Sequence, residues 1–175
     1  WDILYAVSSD DGATWSDPAA LNTNASVDSN SDLSPDVTRD KNGHWVVVWH
    51  TFDTLGGTIG SDGDIVVARS TNNGTTWTAP VALNTNAASD TGMDGPACIV
   101  SDSVGAWLAA WEVRDASGGT YGTDSDVLYA RSTDNGATWS APIPLNNDAA
   151  TDSSHEFAAK VAADSNGTWM ACWTS

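Results

Sequence analysis

Basic residues are scarce in this chain. Its 175 residues include 6 lysines and arginines against 23 aspartates and glutamates, which gives a formal net charge of −17. A charge of this sign and size repels the phosphates of nucleic acids and the anionic surface of membranes. The composition therefore predicts neither a nucleic-acid partner nor a membrane partner, and it is compatible with cations and neutral ligands.

Glutamate is scarce as well: Glu112 and Glu156 are the two glutamates, and every other acid is an aspartate. Aspartate favours turns and strand ends because its short side chain bonds the neighbouring backbone. The acidic groups are therefore expected in loops. Because the chain is also rich in threonine, valine and serine and has 10 tryptophans, the composition predicts an all-β fold.

The sequence has few cysteines and no long apolar run. The two cysteines, Cys98 and Cys172, do not form a metal-type CxxC pair and are predicted to be buried free thiols. No apolar run is long enough to span a membrane. The chain begins with Trp1 and shows no signal peptide, so we expect a piece of a longer protein or a processed product.

One octapeptide pattern occurs three times, each copy 62 residues after the last: "SSDDGATW" at 8–15, "STNNGTTW" at 70–77 and "STDNGATW" at 132–139. With this offset the chain aligns to itself without gaps, and nine of the ten tryptophans fall into register. A gap-free long repeat indicates one structural unit used repeatedly. Within a single domain, 1–175, the predicted repeats are 2–63, 64–125 and a truncated 126–175.

Each repeat is predicted to contain four short strands, which in the middle of the chain are 34–40, 44–51, 64–70 and 76–83. The second strand, "HWVVVWHT", is apolar on both faces and is therefore expected between two layers. Four antiparallel strands with a doubly buried second strand are typical of a β-propeller blade. A β-sandwich is the alternative, but it explains neither the gap-free period nor the doubly buried strand.

The octapeptide resembles the Asp-box, also called the bacterial neuraminidase repeat (BNR). Its positions here are Ser8, Asp10, Gly12 and Trp15; Ser70, Asn72, Gly74 and Trp77; and Ser132, Asp134, Gly136 and Trp139. The resemblance implies a turn between the third and fourth strands of a blade. Asn72 keeps the acceptor oxygen and loses the charge, so we predict a structural role: the Asp or Asn oxygen holds the turn, glycine supplies positive φ, and tryptophan fills the space between layers.

Alternating strand directions place the Asp-boxes at one end of the sheets and the long loops at the other. The resemblance implies a binding or active site at the long-loop end, and that end is acidic. Candidate metal ligands are pairs of acids four residues apart: Asp28 and Asp32, Asp90 and Asp94, and Asp152 and Glu156. Further loop acids are Asp53, Asp62, Asp64, Asp115, Asp124 and Asp126. Such oxygen ligands suit Ca²⁺, and the alternative is that they cap turns.

Sialidases of the kind that the resemblance implies use an arginine triad, a tyrosine–glutamate pair, an aspartate acid/base and an F/Y-R-I-P motif. This chain lacks the motif and has four arginines. Arg39, Arg69 and Arg131 are predicted near the Asp-box end, and Arg114 alone near the long loops. One arginine cannot make a triad, so no catalytic residue is predicted. The three histidines, His44, His50 and His155, are predicted to be structural or solvated rather than catalytic.

The predicted strands amount to three blades' worth per chain, with the first and last blades incomplete. The resemblance implies a six-bladed ring, which two chains would complete as a closed homodimer. The alternative is a fragment of a longer propeller.

For function, we expect a non-catalytic extracellular binding or scaffold propeller with a glycan or protein ligand at the long loops. The alternatives are a sialidase-like glycoside hydrolase of the exo-α-sialidase class, or a fragment of one, and a calcium-stabilised structural module.

Overall fold

The computed structural model describes residues 1–114 and 121–175. Twelve strands follow one another in this part of the chain: β1 (Leu4–Tyr5), β2 (Ala19–Ala20), β3 (Asp32–Arg39), β4 (Trp45–Thr51), β5 (Asp64–Ser70), β6 (Val81–Ala82), β7 (Met93–Ser101), β8 (Trp107–Arg114), β9 (Ser125–Ser132), β10 (Ile143–Pro144), β11 (Phe157–Ala163) and β12 (Trp169–Thr174). No helix of the described residues has the length and apolar character needed to cross a bilayer. Asp115, one of the loop acids, lies outside the described residues.

The strands form antiparallel sheets that follow the order of the chain. Two sheets have four strands, β3-β4-β5-β6 and β7-β8-β9-β10, and two have two strands, β1-β2 and β11-β12. The predicted four-stranded antiparallel sheets are confirmed. The first strand of each sheet faces the next sheet, since β7 packs against both β3 and β11. Successive sheets are therefore stacked side by side around their first strands.

The second strand of the middle repeat is buried on both faces, as its sequence predicts. Val46 and Val48 of β4 pack in one core cluster with side chains of β7 and β8. Val47 and Trp49 point the other way and pack with Ile3. The alternation of a strand sends neighbouring side chains to opposite faces, so β4 contributes to the cores on both of its sides.

The fourth strand is much shorter than the predicted span of 76–83. Only Val81 and Ala82 pair with β5. Pro80 has no N–H to donate to a neighbouring strand. Thr78 bonds to Arg69 of β5 instead: the Thr78 hydroxyl accepts from the Arg69 N–H at 3.1 Å, and the Thr78 N–H donates to the Arg69 carbonyl at 3.0 Å. The outer edge of the sheet is consequently held by a side chain as much as by a strand.

Two burial predictions are wrong at the ends of the chain. Cys98 is buried, but Cys172 of β12 is exposed. Trp15 is also exposed, whereas its equivalents Trp77 and Trp139 are partly buried against the cores. Both side chains are exposed for the same reason. They belong to the two-stranded sheets, and among the described residues these sheets lack the neighbouring strands that cover the equivalent side chains in the four-stranded sheets.

Replacing Gly136 by alanine should destabilise the fold more than replacing Gly12. Both glycines have positive φ, +73° and +84°, so each substitution brings about 1–2 kcal/mol of left-handed backbone strain. A Cβ on Gly136 would also lie 3.0 Å from Cγ2 of the fully buried Val46, while one on Gly12 meets nothing within 4 Å. Urea unfolding measures the difference, and equal losses in the two variants would contradict the predicted clash.

Candidate metal centres

Three groups of acidic side chains lie at the long-loop end of the sheets. In each group, one carboxylate oxygen of every member lies within 4.8 Å of those of the others. We call these groups junction clusters 1, 2 and 3: Asp2, Asp28 and Asp32; Asp62, Asp64 and Asp90; and Asp124, Asp152 and Glu156. The name reflects their position between one sheet and the next.

The members of each cluster come from separate segments of the chain, which the stacking of the sheets brings together. In cluster 2, Asp62 precedes β5, Asp64 begins β5, and Asp90 lies in the loop after β6. Asp94, the second residue of β7 in the next sheet, donates its N–H to the Gly63 carbonyl at 2.8 Å. The same backbone bond joins Asp32 to Trp1 and Glu156 to Ser125, also at 2.8 Å. Every cluster therefore spans a junction between consecutive sheets.

A buried asparagine links the acids at each junction. The Asn84 amide donates to Asp64 Oδ1 at 3.0 Å and to Asp94 Oδ2 at 2.7 Å, while Asn84 Oδ1 accepts from the Ile65 N–H at 3.3 Å. Asn22 and Asn146 hold the equivalent positions. Sequence reasoning missed all three, although their 62-residue spacing and the leucine before each were a signal.

Several buried carboxylate oxygens in clusters 2 and 3, and one of Asp126 beside cluster 3, have no hydrogen-bond partner among the described residues. They include Asp64 Oδ2, Asp126 Oδ2 and both oxygens of Asp124. Asp64 and Asp126 are fully buried, and Asp124 is 8% exposed. An unpaired charge away from water is costly unless it is neutralised or bound, so these oxygens need a proton or a cation.

Burial raises the pKa of Asp64 and of Asp126 to about 6, and neighbouring carboxylates such as Asp62 and Asp124 push in the same direction. Burial also raises the pKa of Asp94, against the hydrogen bond that the Trp111 indole N–H donates to it at 2.9 Å. These shifts express the free-energy cost of holding several negative charges together in a poorly solvated place.

Basic side chains do not offset this charge. In the described part of the chain the two ion pairs are His44–Asp40 at 2.7 Å and Arg114–Glu112 at 2.9 Å. Neither includes a member of a junction cluster. Any neutralising cation must therefore come from solution.

The structure brings five of the six candidate metal ligands into the clusters and adds members from the start of the third strand. Asp94 is not in a cluster itself, but it shares Asn84 with Asp64. Asp53 instead accepts a hydrogen bond from Asn24 at 2.9 Å. Whether these groups bind a metal stays a prediction.

The Asp-boxes lie at the opposite end of the sheets. On β4 and β5, Trp45 pairs with Ser70 of the box while Thr51 pairs with Asp64 of cluster 2. The turn before β4 touches the same box, since the Asn73 N–H donates to the Gly43 carbonyl at 3.2 Å. Boxes and clusters are thus separated by the length of the sheet.

Aspartate and asparagine hold the box turn in the same way. Asp134 Oδ1 accepts from the Thr138 N–H at 2.9 Å and the Ser132 hydroxyl at 2.8 Å. In the middle box, Asn72 Oδ1 accepts from the Thr76 N–H at 3.0 Å and the Ser70 hydroxyl at 2.8 Å. Hydrogen bonds from the Thr138 side chain and backbone lower the pKa of Asp134 to about 2. The turn uses the acceptor oxygen whether or not it is charged.

Residues 130–141 match the family model of the BNR/Asp-box repeat. The Hadza microbial sialidase Hz136 has a similar structure, with a TM-score of 0.64 and 18% identity, over 99% of this chain and 38% of the sialidase. An α-L-arabinanase of Penicillium chrysogenum gives a TM-score of 0.58 and 16% identity, over 98% of this chain and 51% of the arabinanase. The chain thus contains an Asp-box repeat and shares its fold with these two β-propeller structures. It spans about half or less of these two neighbours, and a search of the curated proteins found no match to it.

In this propeller the arginines lie at different ends of the sheets. Arg131 pairs with Leu108 towards the Asp-box end of β8, and Arg114 pairs with Ser125 at the other end. Arg39 and Arg69 flank the ends of β3 and β5 near the boxes. The predicted separation of Arg114 from the other three arginines therefore agrees with the strand register.

The histidines of the propeller make local contacts. His44 pairs with Asp40, and His155 Nδ1 accepts from the Ser125 N–H at 3.0 Å. His50 is buried beside Phe52, with ring centroids 4.6 Å apart, and burial lowers its pKa. These contacts support turns and the core.

Replacing Asp134 by asparagine should change stability little, because Asn72 holds the same turn in the middle box. Alanine at the same position removes the acceptor for Thr138 and Ser132 and should cost about 1 kcal/mol, as the loss of a helix-capping acceptor does. Thermal unfolding of the two variants measures the difference. A loss in Asp134→Asn as large as that in Asp134→Ala would mean that the box needs its charge.

Proposed function

We propose that this chain is a non-catalytic extracellular propeller module that binds a neutral glycan at its long-loop end. The observation that carries the proposal is the position of the arginines. Arg114 is the arginine near the long loops, and its guanidinium is engaged by Glu112 at 2.9 Å. A site for a sugar carboxylate of the sialidase type requires several free guanidinium groups together.

The charge of the long-loop end favours a neutral sugar. Aspartates and asparagines crowd this end, and their repulsion of anions disfavours sialic acid. The same oxygen and amide groups hydrogen-bond readily with sugar hydroxyls. The two neighbours described above are named as a sialidase and an arabinanase, which supports a glycan as the ligand class.

Binding and turnover assays on the same preparation test this proposal. Isothermal titration with neutral arabino-oligosaccharides and with sialyllactose should give binding to the neutral sugars and none to the sialoside. Fluorogenic sialosides and arabinosides should be hydrolysed no faster than in buffer. Asp53→Asn at the long-loop end should weaken binding, and Asp164→Asn in the turn between β11 and β12, at the other end, should not. Robust turnover would overturn the non-catalytic proposal.

A glycoside hydrolase is the second candidate, and one observation favours it. The carboxylate oxygens of each cluster lie within 4.8 Å of one another, and retaining glycosidases use two carboxyl groups about 5 Å apart. An acid with a pKa of about 6, such as Asp64, also suits proton donation. Threefold repetition of the arrangement favours a structural role instead. If turnover is found and Asp64→Asn abolishes it while Asp134→Asn does not, the hydrolase is correct.

The closed homodimer stays a prediction. Apolar side chains of the two terminal sheets are exposed: Leu4 and Trp15 on the first, and Phe157, Met170 and Trp173 on the last. Pairing these sheets between two copies would bury them. Light scattering should therefore give twice the chain mass of 18.2 kDa, and a well-folded monomer at micromolar concentration would exclude the dimer.

A further inference from the structure

We infer that this chain binds calcium at two sites, junction clusters 2 and 3, each at the boundary between one sheet and the next. The inference is independent of any glycan ligand. It rests on the spacing of the cluster oxygens, on buried carboxylate oxygens without partners, and on the comparison of the three repeats with one another.

The clusters have the dimensions of a calcium coordination shell. Calcium holds its oxygen ligands at about 2.3–2.6 Å, so oxygens on opposite sides of the ion lie roughly 4.6–5.2 Å apart. The oxygens of each cluster lie within 4.8 Å of one another. Magnesium demands a near-ideal octahedral shell and usually keeps several waters, so three carboxylates that converge in a largely buried place suit calcium better.

Asp124 is the residue that points most directly to a cation in cluster 3. It is 8% exposed, and neither of its oxygens has a hydrogen-bond partner among the described residues. An ordinary turn-capping aspartate would accept backbone N–H groups, as Asp102 does from Val104, Gly105 and Ala106 at 2.8–2.9 Å. Asp124 therefore has the burial of a structural aspartate without the bonds of one.

Cluster 2 repeats this feature with another residue. Asp64 Oδ1 accepts from Asn84, and the buried Asp64 Oδ2 has no partner among the described residues. Beside cluster 3, Asp126 also has one buried oxygen without a partner there. Asn146 Oδ1 is also buried and unpartnered there. Carboxylate and amide oxygens together are the ligands that calcium selects.

The repeats provide an internal comparison of two kinds of aspartate. The Asp-box aspartate becomes Asn72 in the middle repeat, where an acceptor suffices. The junction positions are acidic in every copy that the sequence contains: Asp2, Asp64 and Asp126; Asp28, Asp90 and Asp152; Asp32, Asp94 and Glu156; and Asp62 and Asp124. Even the single exchange, to Glu156, keeps the carboxylate. Acids are also kept in register at Asp40, Asp102 and Asp164, but each of these accepts backbone N–H groups of its own turn, which the oxygens of Asp124 do not.

Calcium bound at these clusters would stabilise the stacking of one sheet on the next. In cluster 3, Asp124 precedes β9 of one sheet, while Glu156 immediately precedes β11 of the next. An ion held by both adds a cross-link to the backbone bond between Glu156 and Ser125. Because the unfolded chain does not assemble the cluster, binding adds to the stability of the folded state.

Equilibrium dialysis of the intact chain, first freed of metal with chelator and then equilibrated with calcium, tests the inference. In about 0.15 M salt, where diffuse attraction is screened, we expect two calcium ions per chain, with Kd values of about 10⁻³ M or below. Magnesium at the same concentration should occupy few of the sites. The melting temperature should rise with calcium and fall again with chelator.

Two variants of equal charge locate the sites. Asp124→Asn should bind one calcium ion, and Asp134→Asn in the Asp-box should still bind two. Without metal, Asp124→Asn should be at least as stable as the parent, since it removes a buried charge that accepts no hydrogen bond. Asp62→Asn should likewise lose one ion in cluster 2.

Retention of two ions by Asp124→Asn, equal occupancy by magnesium, or fewer than one ion per folded chain would overturn the inference. So would a loss of metal-free stability in Asp124→Asn larger than that in Asp134→Asn, because it would show that Asp124 serves the fold without a cation.

Discussion

Replacing Asn84 by alanine is expected to lower the free energy of unfolding by about 3 kcal/mol or more. The Asn84 side chain is fully buried and donates to two carboxylates, Asp64 at 3.0 Å and Asp94 at 2.7 Å. Hydrogen bonds to charged groups contribute about 1.5–3 kcal/mol each, and removing the donor leaves both acceptors buried. Among residues 1–114 and 121–175, no other single side chain bridges these two acids.

Urea unfolding in the presence of chelator measures this effect without interference from cations. Asn24→Ala is a matched control, since its amide makes one bond, to Asp53 at 2.9 Å, in a half-buried place; its loss should be about 1 kcal/mol. Asn84→Asp, which is nearly the same shape, should also be strongly destabilised because it replaces the donor by a further acid. A mild effect in Asn84→Asp would show that shape rather than hydrogen bonding matters at this position.

The second large effect is expected at Trp111, where alanine should cost about 3–5 kcal/mol. The Trp111 side chain is fully buried in the core shared by β4, β7 and β8, and its indole N–H donates to Asp94 Oδ1 at 2.9 Å. Alanine leaves a cavity in this core and an unpaired oxygen on a buried acid. Both losses lower the stability of the folded state.

Phenylalanine separates the two contributions. Trp107 is equally buried in the same core, but its indole nitrogen has no hydrogen-bond partner among the described residues. Trp111→Phe should therefore be more destabilising than Trp107→Phe by about 1.5–3 kcal/mol, the worth of a hydrogen bond to a charged group. Guanidinium unfolding of the two variants gives the comparison, and equal losses would mean that the bond to Asp94 contributes nothing.

Much of the fold could be predicted from local patterns. The residues of β4 alternate Trp45, Val46, Val47, Val48 and Trp49, and a strand that is apolar on both faces has to lie between two layers. The box turns were also predictable, because glycine at a positive φ and a nearby Asp or Asn oxygen are local requirements. The fourth strand was not, since the Thr78–Arg69 pairing that replaces it depends on a side-chain hydroxyl.

The candidate site was only partly predictable. The acids four residues apart, such as Asp28 and Asp32, stand out in the sequence, but their partner Asp2 is separated from them by a whole hairpin. Asn22 appeared to be an ordinary loop residue and is in fact the buried donor that bridges Asp2 and Asp32. These contacts become visible only when the stacking of one sheet on the next is known.

The sequence by itself determined the period of 62 residues, the all-β class, the doubly buried second strand and the end of the sheets at which each loop lies. Each of these follows from interactions between residues close in the chain or from the alternation of side chains along a strand. Only the tertiary structure decided that Asp62, Asp64 and Asp90 share one place, that Asn84 joins Asp64 to Asp94, and that Trp15 is exposed. Those outcomes depend on which segments of neighbouring sheets meet, and hydrophobic periodicity carries no information about that.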